Sequence, residues 1–161
     1  YEQILAVARQ QQDAAAEEAT LVTLGELSFS YFDYIKAAAT YRELLRLAEE
    51  TRDRTKQVAY LKQLAYIYDQ AQQHQLAIKA KEQLIELFSN EQDFIQIPIL
   101  RLSIGTNYQA LGLQEQAAQN YQEAYAFAFA RQMFGPASDA LQKLANLFQS
   151  NNQTQQALEV Y

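Results

Sequence analysis

The chain has 161 residues, of which 49% are apolar and 20% are charged, a composition that supports a folded domain with its own core and argues against disorder. Its 19 Asp and Glu outnumber its 13 Lys and Arg, which argues against the basic face that nucleic-acid binders place against phosphates, so we expect no nucleic-acid partner. No apolar run approaches the ~20 residues that cross a bilayer, so we expect no membrane insertion, and the lack of Cys excludes disulfides and thiolate chemistry and is consistent with a cytoplasmic protein.

Similar residues recur every forty positions along the chain. One column is aliphatic, the next is Gly or Ala, a third is Ala alone and a fourth is mostly Tyr. The columns are Leu24, Leu64, Ile104 and Leu144; Gly25, Ala65, Gly105 and Ala145; Ala37, Ala77, Ala117 and Ala157; and Tyr1, Tyr41, Lys81, Tyr121 and Tyr161. Small residues let two helices approach closely, and an aromatic ring fills the space beside the crossing. The columns therefore predict stacked copies of one helix pair.

Each copy is predicted to hold two helices. Apolar residues follow one another at spacings of three and four, as in Leu21, Leu24 and Leu27, which is the helical period. In chain order we predict one domain, with the second helix of a preceding repeat at 1–13, full repeats at 14–53, 54–93 and 94–133, and a partial repeat at 134–161. Because the chain begins and ends at the same phase of the repeat, we expect it to be a piece of a longer array.

Polar residues and prolines mark the helix boundaries. Asp13, Asp53 and Asp93 stand where the first helix of a repeat should begin, and each can accept hydrogen bonds from free N–H groups there. Pro136 replaces this signal in the last repeat. Pro98 lies deeper, so the third repeat should begin its helix late or irregularly. The turn column is Phe32, Gln72, Gly112 and Asn152, in which Phe32 suits a left-handed turn least well.

Ile104, Gly105 and Tyr108, followed by Ala117 and Tyr121, resemble the Leu-Gly-x-x-Tyr and Ala-x-x-x-Phe pattern of the tetratricopeptide repeat. The other repeats match it more loosely, and the terminal Pro of the family is missing. The family's Trp position holds Leu21, Leu61, Arg101 and Leu141. The long period is similar to that of the variant in kinesin light chain, rapsyn and spindle-orientation adaptors. The resemblance implies an all-α fold, a right-handed superhelical solenoid of antiparallel helix pairs.

Columns that change chemistry from repeat to repeat are candidates for a binding surface. The resemblance implies that first helices line the concave groove, and spacings of four and three place the free columns on one helical face. We therefore predict a groove for a peptide or protein segment, formed by Val22, Glu26, Phe29, Lys62, Tyr66, Asp69, Ile99, Leu102, Thr106, Gln109, Gln142, Asn146 and Gln149. Ile99 and Leu102 would hold apolar side chains, while the amides would bind the partner's backbone. The alternative is that Ile99 and Leu102 pack against a neighbouring repeat.

Two further positions bear on the partner. Family members that bind a C-terminal carboxylate use Lys and Asn one turn apart on the first helix, but here Lys62 is followed by Tyr66, which disfavours that use. Phe129 belongs to a column that is otherwise polar, with Arg9, Glu49 and Ser89. It is a candidate contact for self-association into a homo-oligomer; the alternative is that it tucks under the start of the next helix, near Met133 and Phe134.

The sequence predicts no catalytic, cofactor or metal site. The single His74 has no second His or Cys to share a metal, and no glycine-rich phosphate loop occurs. We therefore expect a non-enzymatic scaffold or adaptor whose partner is a protein or peptide of unknown identity. One alternative is a structural module that self-associates. Another is a peptide-sensing regulatory domain of a larger protein, resembling bacterial regulators.

Overall fold

A computed structural model describes residues 1–150 and is helical throughout that range. Its eight helices are α1 (Glu2–Gln10), α2 (Ala14–Ser30), α3 (Tyr34–Glu50), α4 (Arg54–Gln70), α5 (His74–Glu91), α6 (Gln96–Ala110), α7 (Gln114–Ala130) and α8 (Phe134–Ser150). The predicted all-α class is confirmed. Within the same range, no helix is both long and apolar enough to span a bilayer. The predicted repeat positions Asn152, Ala157 and Tyr161 lie outside the described residues.

The turns between the helices share one backbone conformation. One residue in each has a positive φ, between 55° and 74°, and in the described part of the chain these residues are Gln12, Phe32, Arg52, Gln72, Gln92, Gly112 and Gln132. After α2, the N–H of Asp33 donates to the carbonyl of Ser28 at 2.9 Å. The N–H of Phe32 donates to the carbonyl of Phe29, also at 2.9 Å. These two bonds form a Schellman motif, and the same pair of bonds with a left-handed residue ends each of the helices α1 to α7.

Asp side chains begin three of the helices. Asp13 accepts from the N–H of Ala16 at 3.0 Å, and Asp53 accepts from the N–H of Lys56 at 3.1 Å. Asp33 does the same at the start of α3. Asp93 does not cap α6, because that helix begins only at Gln96 and has no side-chain cap. The late start predicted from Pro98 is therefore observed.

The chain divides within α5 into two compact units: unit 1 is Tyr1–Ala80, and unit 2 begins at Lys81. We call α2, α4, α6 and α8 the first helices. In unit 1, ion pairs join neighbouring second helices, α1 and α3, through Lys36–Glu2 and Arg9–Glu43, each 3.0 Å. The first helices α2 and α4 are joined by Lys56 and Glu18, 2.6 Å apart. In unit 2, α7 packs against both α6 and α8.

Close helix crossings explain the columns of small and aromatic residues. A Cβ atom added to Gly25 would lie 2.7 Å from Cε2 of Tyr41, and one added to Gly105 would lie 2.3 Å from Cε1 of Tyr121. Tyr121 is 1% exposed and lies in the core of unit 2 with Ala117, Ala124, Ala140, Leu144 and Leu147. Each ring thus occupies the space where a larger residue at the Gly position would put its side chain.

Lys81 stands at the position where two other repeats place a buried Tyr. Its side chain is 4% exposed, and its Nζ donates to Oδ1 of Asn107 at 2.6 Å. Burying an ammonium group is costly without hydrogen bonds. The long aliphatic stem of Lys81 is therefore buried at the position that holds Tyr in those repeats, while its ammonium group is bound by the side-chain amide of Asn107 on α6.

Candidate binding surface on the first helices

The predicted residues of unit 1 lie on α2 and α4, and we call the surface that they form the unit-1 face. Glu26 and Lys62 are exposed, Tyr66 is 52% exposed, and Val22, Phe29 and Asp69 are half-buried. The rings of Phe29 and Tyr66 have centroids 5.4 Å apart at 41°. The structure therefore brings side chains from two successive first helices into contact, as a binding surface requires.

Two aromatic residues that were not predicted extend this pair. The Phe29 ring also contacts Tyr34 at the start of α3, with centroids 5.6 Å apart, and Tyr34 contacts Phe32 at 6.3 Å. We call these four residues, Phe29, Phe32, Tyr34 and Tyr66, the aromatic cluster. Phe32 is 76% exposed. Its neighbours Tyr31 and Ile35 are each 79% exposed, so the apolar surface continues around the turn.

Phe32 shares the backbone conformation of the other turns but differs from them in its side chain. It has a φ of 60°, a region that costs most L-residues ~1–2 kcal/mol. The equivalent residue of the other six described turns is Gln, Arg or Gly. The turn column of the sequence already marks Phe32 as the residue least suited to this conformation, whereas its contact with Tyr34 is visible only in the structure. An exposed aromatic ring therefore stands at a position where the other described turns carry Gln, Arg or Gly.

The unit-1 face carries the carboxylates of Glu26 and Asp69 and the ammonium group of Lys62. Glu26 is exposed and lies one turn before Phe29 on α2, and among the described residues no ion pair or hydrogen bond engages it. Burial raises the pKa of the Tyr41 hydroxyl, and the negative charge of Glu26 raises it further.

A second carboxylate on α2, Glu18, is fully engaged. The Lys56 ammonium donates to Glu18 at 2.6 Å and the Tyr60 hydroxyl donates to its other oxygen. The hydrogen bond from Lys56, with that from Tyr60, holds the pKa of Glu18 below its usual value. Burial and the bond to Glu18 raise the pKa of Tyr60. This network joins the first helices and is structural.

The predicted residues of unit 2 form a polar surface on α6 and α8, which we call the unit-2 face. Thr106, Gln109, Gln142, Asn146 and Gln149 are all exposed. The hydroxyl of Tyr121 reaches this surface from the core and donates to Oε1 of Gln109 at 3.0 Å. Gln142 donates to Asn146 at 2.9 Å, and Lys143 donates to Thr106 at 3.3 Å. These groups can exchange hydrogen bonds with a partner's backbone.

The two apolar residues predicted for the groove in unit 2, Ile99 and Leu102, differ in their burial. Ile99 is 48% exposed and lies near Ile95, which is 64% exposed. Leu102 is 7% exposed and belongs to the core cluster with Tyr121 and Leu144, so its assignment to the groove is corrected. A long aliphatic side chain at the margin of the face gains more by entering the core than by lining a solvated surface.

Phe129 is 56% exposed on α7 and stacks on Tyr125, with ring centroids 5.5 Å apart at 28°. It is therefore not tucked beneath the start of α8, where Phe134 is itself 66% exposed. Phe127 has a different role, since its ring contacts Phe94 at 6.0 Å. The exposure of Phe129 leaves its predicted part in self-association as a proposal.

Among residues 1–150, no group of three or more His, Asp and Glu is arranged to hold a metal ion. His74 is half-buried at the start of α5.

Comparison with solved structures identifies the class of fold. The chain matches a putative kinesin light chain of Podosopora anserina with nearly identical TPR-like repeats, at a TM-score of 0.73 and 18% identity, over 99% of this chain and 79% of that one. It matches BtubC (BKLC) from P. vanneervenii at a TM-score of 0.64 and 20% identity, over 99% of this chain and 68% of that one. The predicted resemblance to tetratricopeptide repeats is confirmed for the fold.

A third neighbour was solved with a ligand. The Rap conjugation gene regulator of the plasmid pLS20, in complex with the Phr* peptide, matches at a TM-score of 0.68 and 15% identity. The match covers 95% of this chain and 43% of that one. No protein-family model matches the chain, and no curated protein sequence matches it significantly.

Proposed function

We propose that this domain is a protein-interaction module that binds a peptide or protein segment on the outer faces of its first helices. The observation that carries the proposal is the contact between Phe29 and Tyr66, at 5.4 Å on two neighbouring first helices. Tyr66 is 52% exposed, although a ring of this size gains most when it is covered. Exposed aromatic residues of this kind are common anchors at binding surfaces.

The unit-2 face supports the same function by different chemistry. Its exposed amides and hydroxyls, among them Gln109 and Asn146, provide donors and acceptors for an extended backbone. The Rap regulator, whose fold is similar, was solved with a peptide bound, and a peptide is the kind of partner that we propose here. The module needs no catalytic step to perform this role.

The test is to select peptides from a random phage-displayed library against the purified chain and to measure their dissociation constants. Tyr66→Asn introduces the residue that unit 2 carries at the equivalent position, Asn146, so the scaffold should accept it. We expect that variant to weaken binding by at least about tenfold, as for an anchor residue. Phe134→Ala, which removes a 66% exposed ring from another helix, is the matched control. Selected peptides that bind both variants and the original chain equally would refute the proposal.

Self-association is a second candidate, favoured by the 56% exposure of the stacked Phe129 ring. If Phe129 contacts a second copy, the sedimentation coefficient should rise with protein concentration, and Phe129→Glu should abolish that rise. A constant coefficient over a wide range of concentrations would remove this candidate.

A further inference from the structure

The molecule shows how a pair of tilted aromatic rings is covered in unit 2. Phe94 and Phe127 have ring centroids 6.0 Å apart at 61°. The guanidinium carbon of Arg131 lies 3.7 Å from the Phe127 centroid and 4.8 Å from the Phe94 centroid. Both distances are within the range of a cation–π interaction, in which the negative ring face attracts the cation. A single guanidinium group thus makes cation–π contacts with two rings.

The aromatic cluster of unit 1 has comparable geometry but no such cation. The Phe29 ring meets Tyr66 at 5.4 Å and 41°, and it meets Tyr34 at 5.6 Å and 57°. Within residues 1–150, which contain every Lys and Arg of the chain, none lies over a ring of the cluster. The ring faces at the exposed end of the cluster, at Tyr66 and Phe32, are therefore open to a cation from outside.

The charge beside the cluster has the sign that would retain a cation. Glu26 is exposed on the same face of α2 as Phe29, and no described residue pairs with it. The other two charged residues of this face, Lys62 and Asp69, each have an interaction of their own. The whole chain carries a net charge of −6, which attracts basic segments over a longer range.

We propose that the aromatic cluster and Glu26 bind an arginine or lysine side chain of the partner segment, as the Phe94–Phe127 pair binds Arg131. This inference rests on the proposed function, since it names the chemistry of the partner at that same surface. Arginine fits better than lysine, because its planar guanidinium can stack on one ring while it donates to a carboxylate. The exposed Phe32 and Ile35 extend the surface for an apolar neighbour of the bound cation.

The probes are three short peptides of the form acetyl-Gly-Leu-X-Leu-Gly-amide, in which X is arginine, citrulline or glutamate. Citrulline keeps the shape of arginine and removes its charge. Binding is followed by the aromatic resonances of Phe29 and Tyr66 in NMR spectra of the full chain. We expect the arginine peptide to shift these resonances and to bind about 3- to 30-fold more tightly than the citrulline peptide. The glutamate peptide should bind more weakly than either.

Two variants connect the effect to the residues named. Glu26→Gln should reduce the advantage of arginine over citrulline, whereas Glu49→Gln, on the surface of α3, should leave it unchanged. Tyr66→Asn should abolish the shifts at Phe29. Both Glu26 and Tyr66 are exposed, so the variants should melt within a few degrees of the original chain, and a melting curve checks this.

The outcomes separate this inference from the proposed function. If the citrulline or glutamate peptide binds the two rings as tightly as the arginine peptide, or if none of the three shifts them, the cation site is refuted. The proposed function then still stands when phage-selected peptides depend on Tyr66. If no selected peptide depends on Tyr66, the proposed function is refuted together with the cation site. Enrichment of Arg and Lys among Tyr66-dependent peptides would support the inference independently.

Discussion

In unit 1 the rings of Phe29 and Tyr66 meet at 5.4 Å, whereas the equivalent positions of unit 2, eighty residues later, hold Gln109 and Asn146. Beneath both faces, however, the same crossing recurs, with Gly25 against Tyr41 and Gly105 against Tyr121. Positions at the crossing are restricted by packing, since a single added carbon would overlap a ring. Positions on the exposed face of the first helices are not restricted in this way, so their side-chain chemistry differs from repeat to repeat on one scaffold.

The largest expected effect is a difference in the free energy of unfolding between variants of a buried and an exposed aromatic residue. Tyr121→Ala removes a ring that is 1% exposed, and we expect the free energy of unfolding to fall by ~3–5 kcal/mol. Tyr66→Ala removes a ring that is 52% exposed and should cost less than ~1 kcal/mol. Urea unfolding measures both. Similar losses would mean that Tyr66 belongs to the core and not to a recognition surface.

Next in size are substitutions at the crossings themselves. Gly105→Ala places a Cβ 2.3 Å from the buried Tyr121 ring and should cost ~1–3 kcal/mol. Gly25→Ala should cost less, because its nearest atom is 2.7 Å away. Gly135→Ala is the control, since no atom lies within 4 Å and Ala favours a helix over Gly. Thermal unfolding of the three variants should rank them in that order.

A double variant can contradict this explanation of the crossing. If overlap with the Tyr121 ring is the cause, Gly105→Ala should cost much less once Tyr121 is replaced by Ala. A cost that is unchanged in the Tyr121→Ala background would show that Gly105 is required for another reason.

The repeat and its core positions can be predicted from the sequence because close packing restricts which side chains fit at those positions, so similar residues recur there. Ala37 and Ala117 are completely buried, and small residues recur wherever two helices must approach. The half-period of twenty residues is hard to detect for the opposite reason. The turn is held by backbone hydrogen bonds, so residues as different as Gln12, Arg52 and Phe32 occupy its left-handed position, and no residue type marks it.

The candidate site is predictable only in part. Phe29 and Tyr66 are members of variable columns, but their contact depends on how α2 and α4 pack, which spacing along one helix does not specify. Tyr34 lies on a second helix, outside the columns that predict the groove. Leu102 occupies a variable column and yet turns into the core, because a free column permits an aliphatic residue to be buried as readily as a polar one to be solvated.

A smaller effect is expected where stability and recognition oppose each other. Phe32→Gly relieves the strain of a φ of 60°, and we expect a gain of about 0.5–1 kcal/mol in the free energy of unfolding. The same variant should weaken peptides that bind the unit-1 face, because it removes a ring of the aromatic cluster. Arg52→Gly is the matched control, at a φ of 55°, and should stabilise the chain without changing binding. A stabilised Phe32→Gly variant with unchanged binding would exclude Phe32 from the surface.

The smallest expected effect is the pH dependence that Glu18 gives to unit 1. The hydrogen bonds from Lys56 and Tyr60 lower its folded pKa from the ordinary value of 4.5. A carboxylate with a depressed folded pKa contributes stability that is present above its unfolded pKa and is lost as the pH falls through the folded pKa. We therefore expect the melting temperature to decline below about pH 4.5 and the Glu18→Gln variant to decline less steeply.

Unit 2 has no carboxylate at the positions equivalent to Glu18, so the predicted acid response should be confined to unit 1. The positions equivalent to Glu18 are Pro98 and Ser138, neither of which titrates, so acid should loosen the α2–α4 contact before it affects α6 and α8. Hydrogen exchange at falling pH should show loss of protection in α2 and α4 first. Simultaneous loss in all four first helices would mean that this network does not control the acid response. In that case the unit-1 and unit-2 faces would share a common acid sensitivity in spite of their different chemistry.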